Sequence, residues 1–170
     1  MLKQVSITFG SYDILSRLQA QYRDRQLRLV QANNATDSLA LVDLSGQDNV
    51  FKSGAVYDVK STAGSAEHTG EVLAFIYIKN LSPDDQKVFN ATANEITSSP
   101  NLPQELESLY FMKEQKNRGN NVIFSIWDSL SGFNDWLRSP QFARIKGFDT
   151  ALHDFRTITY SQYHQSDQSN

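Results

Sequence analysis

The chemistry available to this 170-residue chain is carried by aromatic side chains rather than by nucleophiles. Phe75 and Tyr77 share one face of an apolar strand by alternation, and Phe124 sits in a second apolar run. Trp136 follows Phe133 at helical spacing. Rings grouped this way either offer a platform to a flat ligand or fill a core. The Tyr77 hydroxyl can donate a hydrogen bond, ligate iron once ionised, or simply occupy interior space. Lys146 is a cation at ordinary pH, with a usual pKa near ~10.4. It suits either a solvated helix end or the carboxylate of an acidic ligand. His153 lies in the connection between the last helix and the last strand, where it can reach a pocket only if that loop folds over it.

Other chemistries are excluded. There is no cysteine, which removes disulfides, thiol nucleophiles and thiolate ligation. No serine stands in a nucleophile-elbow motif, and no His/Asp/Glu set has metal-ligand spacing. The 8 glycines never form a phosphate loop. A net charge of -3 with scattered basic residues gives no electrostatic ground for nucleic-acid or anionic-membrane binding. No stretch approaches the ~20 apolar residues that span a bilayer, and the alternating start is not a signal peptide. The expected location is cytoplasmic.

The elements that must position these residues are legible from period and punctuation. Residues 3–9 alternate as a strand, Gly10-Ser11 breaks it, and Ile14, Leu15, Leu18 and Tyr22 recur at helical spacing. Strands are expected at 27–30, 38–44 and around Val56, Tyr57 and Val59, with turn chemistry at 33–37 and 45–49. The small polar run 61–66 reads as a boundary, which puts His68 in a solvated linker. Beyond it, 72–81 is a strongly apolar strand. Ser82-Pro83-Asp84-Asp85 is a helix start, with Ser as N-cap and Pro at the first helical position. Strands at 106–113 and 121–127 flank the hairpin turn Asn117-Arg118-Gly119-Asn120. Ser129 and Ser139-Pro140 open two more helical segments, and 155–163 is a closing strand. The division expected is therefore 1–66, a β-α-β-β-β half; 67–164, a β-α-β-β-α-β ferredoxin-like unit; and a polar tail, 165–170.

Three stretches carry a family resemblance. Val122-Ile123-Phe124-Ser125-Ile126-Trp127-Asp128 is followed by Phe133-Asn134-Asp135-Trp136-Leu137-Arg138-Ser139-Pro140-Gln141-Phe142, and Thr157-Ile158-Thr159-Tyr160 closes the unit. With the strand at 72–81 these resemble the antibiotic-biosynthesis monooxygenase superfamily over residues 70–163. The first half, through Leu29-Val30-Gln31, Val50-Phe51-Lys52-Ser53 and Ala55-Val56-Tyr57-Asp58-Val59, is similar to the two-part subgroup labelled haem-degrading monooxygenases or signal-transduction proteins. The resemblance implies a ferredoxin-like dimeric α+β barrel, with antiparallel sheets and helices on one face. Such a barrel closes within one chain or between two copies.

The resemblance also implies a site. In haem-degrading members a Trp on the second helix distorts the haem, a His ten residues on ligates iron, and an Asn on the first strand of the unit lies near the oxygen site. Trp136 matches the Trp, but Lys146 stands in the His position and Tyr77 in the Asn position. The expectation is a monooxygenase-type protein with an altered site. Trp136 and Tyr77 would be its catalytic residues, and Phe75, Phe124, Lys146 and His153 would line its pocket. The ligand class is a flat aromatic or a tetrapyrrole, with haem open as cofactor and no metal site of the protein's own. Two alternatives stand beside it: a module that binds without catalysis, and a barrel whose interior is filled by its own side chains.

Overall fold

The computed structural model describes residues 2–34, 38–150, 153 and 155–164. Its elements run β1 (Gln4–Phe9), α1 (Tyr12–Gln21), β2 (Leu27–Ala32), β3 (Leu39–Asp43), β4 (Ala55–Gly64), β5 (Val72–Ile78), α2 (Pro83–Thr97), β6 (Leu106–Glu114), β7 (Asn121–Trp127), α3 (Leu130–Leu137), α4 (Pro140–Lys146) and β8 (Phe155–Gln162). The strands close one barrel within the chain, in the order β1-β3-β2-β8-β5-β7-β6-β4, and every pairing is antiparallel. The fold is α+β and ferredoxin-like, as the element order predicts. The expected turn at 33–37 falls partly outside the described residues, and the tail 165–170 wholly so.

Closure follows from strands that are apolar on both faces. On β5, Leu73 and Phe75 turn into the barrel, while Val72, Ala74, Ile76 and Ile78 turn out under helices. The outer layer packs Phe89, Ala93 and Ile96 of α2, Phe133 and Trp136 of α3, and Phe142 and Ile145 of α4. A smaller cluster seats Leu15 of α1 on Leu27, Leu29 and Leu41. Each helix begins at a serine that caps it. Ser11, Ser82, Ser129 and Ser139 accept from the backbone amides of Ile14, Asp85, Gly132 and Phe142.

Two seams join the halves. At one, β2 meets β8 through Val30↔Gln162, Gln31↔Ser161 and Ala32↔Tyr160. At the other, β4 meets β6 with a bulge between Val59 and Ser61. This second seam corrects the sequence reading, in which the small polar run from Ser61 onward was a linker. Paired to β6 the run remains strand as far as Gly64, because the ladder satisfies its backbone whatever its side chains. Gly64, at φ +89, then brings the chain against the Glu107 carbonyl so closely that a Cβ would sit 2.3 Å from it.

His68 is the second correction. Rather than lying in solvent it is 4% exposed, with Nε2 hydrogen-bonded to the Tyr110 hydroxyl and Nδ1 to the Gln26 side chain. Arg28 donates to the carbonyls of His68 and Gly70, and Glu107 accepts from the amides of Thr69 and Gly70. The crossing segment is thereby tied both to the start of β2 and to β6.

Burial, followed by the charge of Arg28, lowers the His68 pKa below its ordinary 6.5 against the pull of Glu107. Below pH 6.5 the unfolded chain therefore binds more protons at this site than the folded one. Stability is full above that pH and is lost as pH falls toward the lowered folded value. Urea midpoints measured from pH 7 to pH 5 should decline, and His68→Gln should flatten the decline. An equal slope in the variant would show that the imidazole is not the group responsible.

Candidate functional site

The alternation that closes the barrel separates residues the sequence places around one pocket. Phe75, Tyr77 and Phe124 point into the barrel, whereas Trp136 packs outside it, beneath the helices. Phe75 and Phe124 are fully buried and stack with centroids 4.6 Å apart, so they fill the interior against each other. The single pocket expected around these four rings does not form.

Tyr77 sits toward the end of β5, and it and Tyr57 of β4 line the same opening. Burial pushes the Tyr57 phenol up to about 12, helped by Glu114. The Tyr77 phenol is raised further, by burial first and then by Tyr57. Both phenols therefore keep their protons at neutral pH and can donate hydrogen bonds.

Trp136 is 2% exposed, with ring centroids 4.9 Å from Phe142 and 5.7 Å from Trp127. Its indole N–H donates to Gln141 Oε1 at 2.9 Å. The two tryptophans wall a surface cavity of about 480 Å³, whose polar rim includes Glu105, Asp135 and Gln141. The start of α3 sets this rim. Ser129 Oγ donates to Glu105 Oε1 while accepting from the Gly132 amide. Gly132 lets that carboxylate approach, since a Cβ there would lie 2.4 Å from Glu105 Oε2.

Lys146 and His153 lie elsewhere. Lys146 is exposed in the last turn of α4, where a cation suits the helix end. It borders a separate cavity of about 160 Å³ with Phe142, Asp149 and Phe155. The His153 Nδ1 bonds the Asn80 carbonyl at 3.0 Å, and its Nε2 faces Asp85 at 3.6 Å, at the start of α2. Neither borders the Trp136 cavity, and no lysine, arginine, histidine or tyrosine is among its lining residues. Among the described residues no His/Cys/Asp/Glu group is arranged to hold a metal ion. No described helix is long and apolar enough to cross a membrane.

Sequence reasoning missed a second opening, at the barrel end where Tyr57 and Tyr77 meet Arg156. A signal was present: on β8, Arg156 shares a strand face with Ile158 and Tyr160, both part of the interior cluster.

Comparison with known proteins agrees with this architecture. A haem-degrading monooxygenase of Listeria monocytogenes is 31% identical over 139 residues, covering 82% of this chain and 80% of that protein. A ferredoxin-fold protein of L. monocytogenes related to antibiotic-biosynthesis monooxygenases superposes with a TM-score of 0.68 at 24% identity, covering 95% of this chain and 96% of its own. The structure of a major regulator of staphylococcal pathogenesis superposes with a TM-score of 0.76 at 15% identity, covering 95% of this chain and 100% of its own. The two structural likenesses are likenesses of fold. No protein-family model matches the chain.

Proposed function

Since the chain belongs to the antibiotic-biosynthesis monooxygenase superfamily, we propose that it is an oxygenase of that kind, taking a flat aromatic ring into the Trp136–Trp127 cavity. The observation that carries this reading is a cavity of about 480 Å³ lined in part by Trp127 at the end of β7 and by Trp136, which lies on the helix where the resemblance puts the haem-distorting Trp. The donor set around it does not fit a ligated haem. No side chain able to bind the iron axially lines the cavity beyond carboxylates and amides, and no cation is there to meet the propionates.

An electron-rich aromatic substrate fits better, because it supplies its own electrons to oxygen. The chain's part is then to hold the ring in the cavity beside the buried indoles and to take a proton. Glu105, fixed by Ser129, is the base placed for a ring hydroxyl, and Gln141 is the neutral hydrogen-bonding partner. The relative's activity keeps haem as the second reading.

Both are tested on the purified chain. Oxygen uptake with a dihydroxynaphthalene should saturate, and Glu105→Gln should lower kcat at least tenfold, in line with the ~10²–10⁴ typical of a positioned base. A parallel haem titration, followed at the Soret band with ascorbate and oxygen added, decides the alternative. Saturable binding followed by Soret decay would make haem the substrate and set the phenol reading aside. Inactivity in both assays would leave a binding or structural barrel.

A further inference from the structure

The opening at the barrel end encloses about 230 Å³, with Phe9, Tyr57, Tyr77, Lys79, Glu114 and Arg156 on its walls. We propose that this mouth binds a small aromatic carboxylate, at a site separate from the Trp136 cavity. Four observations converge on it.

The guanidinium of Arg156 is held in the mouth by its register opposite Tyr77 and lies 5.1 Å from the centre of that ring. Arg25, Arg138 and Arg144 each face a carboxylate, but among the described residues Arg156 has none. A guanidinium over an aromatic ring keeps N–H groups free at its edge, through which a carboxylate can be bound in pairs.

Tyr57 and Tyr77 both line the mouth, and burial raises both phenols above their ordinary range. Both phenols keep their protons at neutral pH and so offer donors to an acceptor in the mouth. Phe9, at the end of β1, is 52% exposed and offers a ring face at the rim. The volume lies below the ~300–1,000 Å³ of pockets for drug-sized ligands, which limits the occupant to about one ring.

Glu114 gives the site a direction. Its Oε2 accepts from the Asn120 side-chain amide at 2.6 Å, and as a carboxylate on the mouth's wall it repels an anion beside it and accepts from a donor. A ring with a carboxylate at one end and a hydroxyl at the other satisfies Arg156 and Glu114 together.

The probe is 4-hydroxybenzoate, titrated into the full chain by calorimetry, with 4-hydroxybenzamide as the uncharged control. Saturable one-to-one binding is expected, weakened at least tenfold both by Arg156→Gln and by the amide control. Arg156 is exposed, so R156Q should melt with the parent, and Q141A, at the other cavity, should bind as the parent does. Absence of binding up to millimolar ligand, equal binding of acid and amide, or loss of binding in Q141A but not in R156Q would each overturn the proposal.

Discussion

Replacing Trp136 by alanine should destabilise the protein by about 3–5 kcal/mol, the range for emptying a buried aromatic site. At ~2–4 °C per kcal/mol for a chain of this size, the melting temperature should fall by roughly 6–20 °C. The indole is 2% exposed, contacts Trp127 and Phe142, and has its N–H satisfied by Gln141, so nothing nearby can swing in to replace it. Trp136→Phe keeps the ring but strands the Gln141 oxygen, and should cost less, about 1–2 kcal/mol. Urea denaturation of the three proteins checks both figures. A Trp136→Ala variant that melts within a degree or two of the parent would show that this ring is not packed as a core residue.

The second large effect lies far from either cavity. Arg25→Ala should cost about 3–5 kcal/mol, because it leaves a buried carboxylate without its partner. Asp43 is 2% exposed and meets Arg25 at 2.8 Å, while its other oxygen holds the amide and hydroxyl of Ser45. The same guanidinium donates to the Asp48 carbonyl at 2.7 Å, so it also pins the turn that follows β3. Combining Arg25→Met with Asp43→Asn removes both charges and should recover part of the loss. If the double variant is no better than Arg25→Ala, the cost belongs to the turn and not to the stranded charge.

The parts of the fold written by period and punctuation were readable in the sequence. The apolar run of β5, the Ser-Pro starts of α2 and α4, and the hairpin at Asn117–Asn120 all form where residue type alone predicts them. What could not be read depends on partners distant in the chain. Ser61, Thr62 and Ala63 have no strand signature of their own and become strand because β6 supplies their ladder. His68 looks like a linker residue until Tyr110, 42 positions later, reaches its ring.

The residues grouped as one candidate site lie on two sides of the barrel wall. β5 and β7 are apolar on both faces, so alternation says which residues share a face but not which face looks inward. Phe75 and Tyr77 were rightly grouped together, yet Trp136 lies on the opposite side of the wall from them. Arg156 went unnoticed because a lone cation near a strand end ordinarily reads as solvated. Only the closing of β8 between β2 and β5 turns it toward the two tyrosines.

Closure of the barrel by one chain also governs stoichiometry and divergence. When two identical subunits complete a barrel, every residue occurs twice, and any change made for one side is imposed on the other. Here the first half carries α1 alone against its sheet, while the second carries α2, α3 and α4 with both tryptophans. The tryptophan cavity therefore occurs once per barrel and has no symmetry mate. Ligand titrations at the tryptophan cavity should reach their end point at one equivalent per polypeptide. The first half is correspondingly free to acquire features, such as the Phe9 and Tyr57 walls of the barrel mouth, that would be incompatible with duty as a second copy of the tryptophan site.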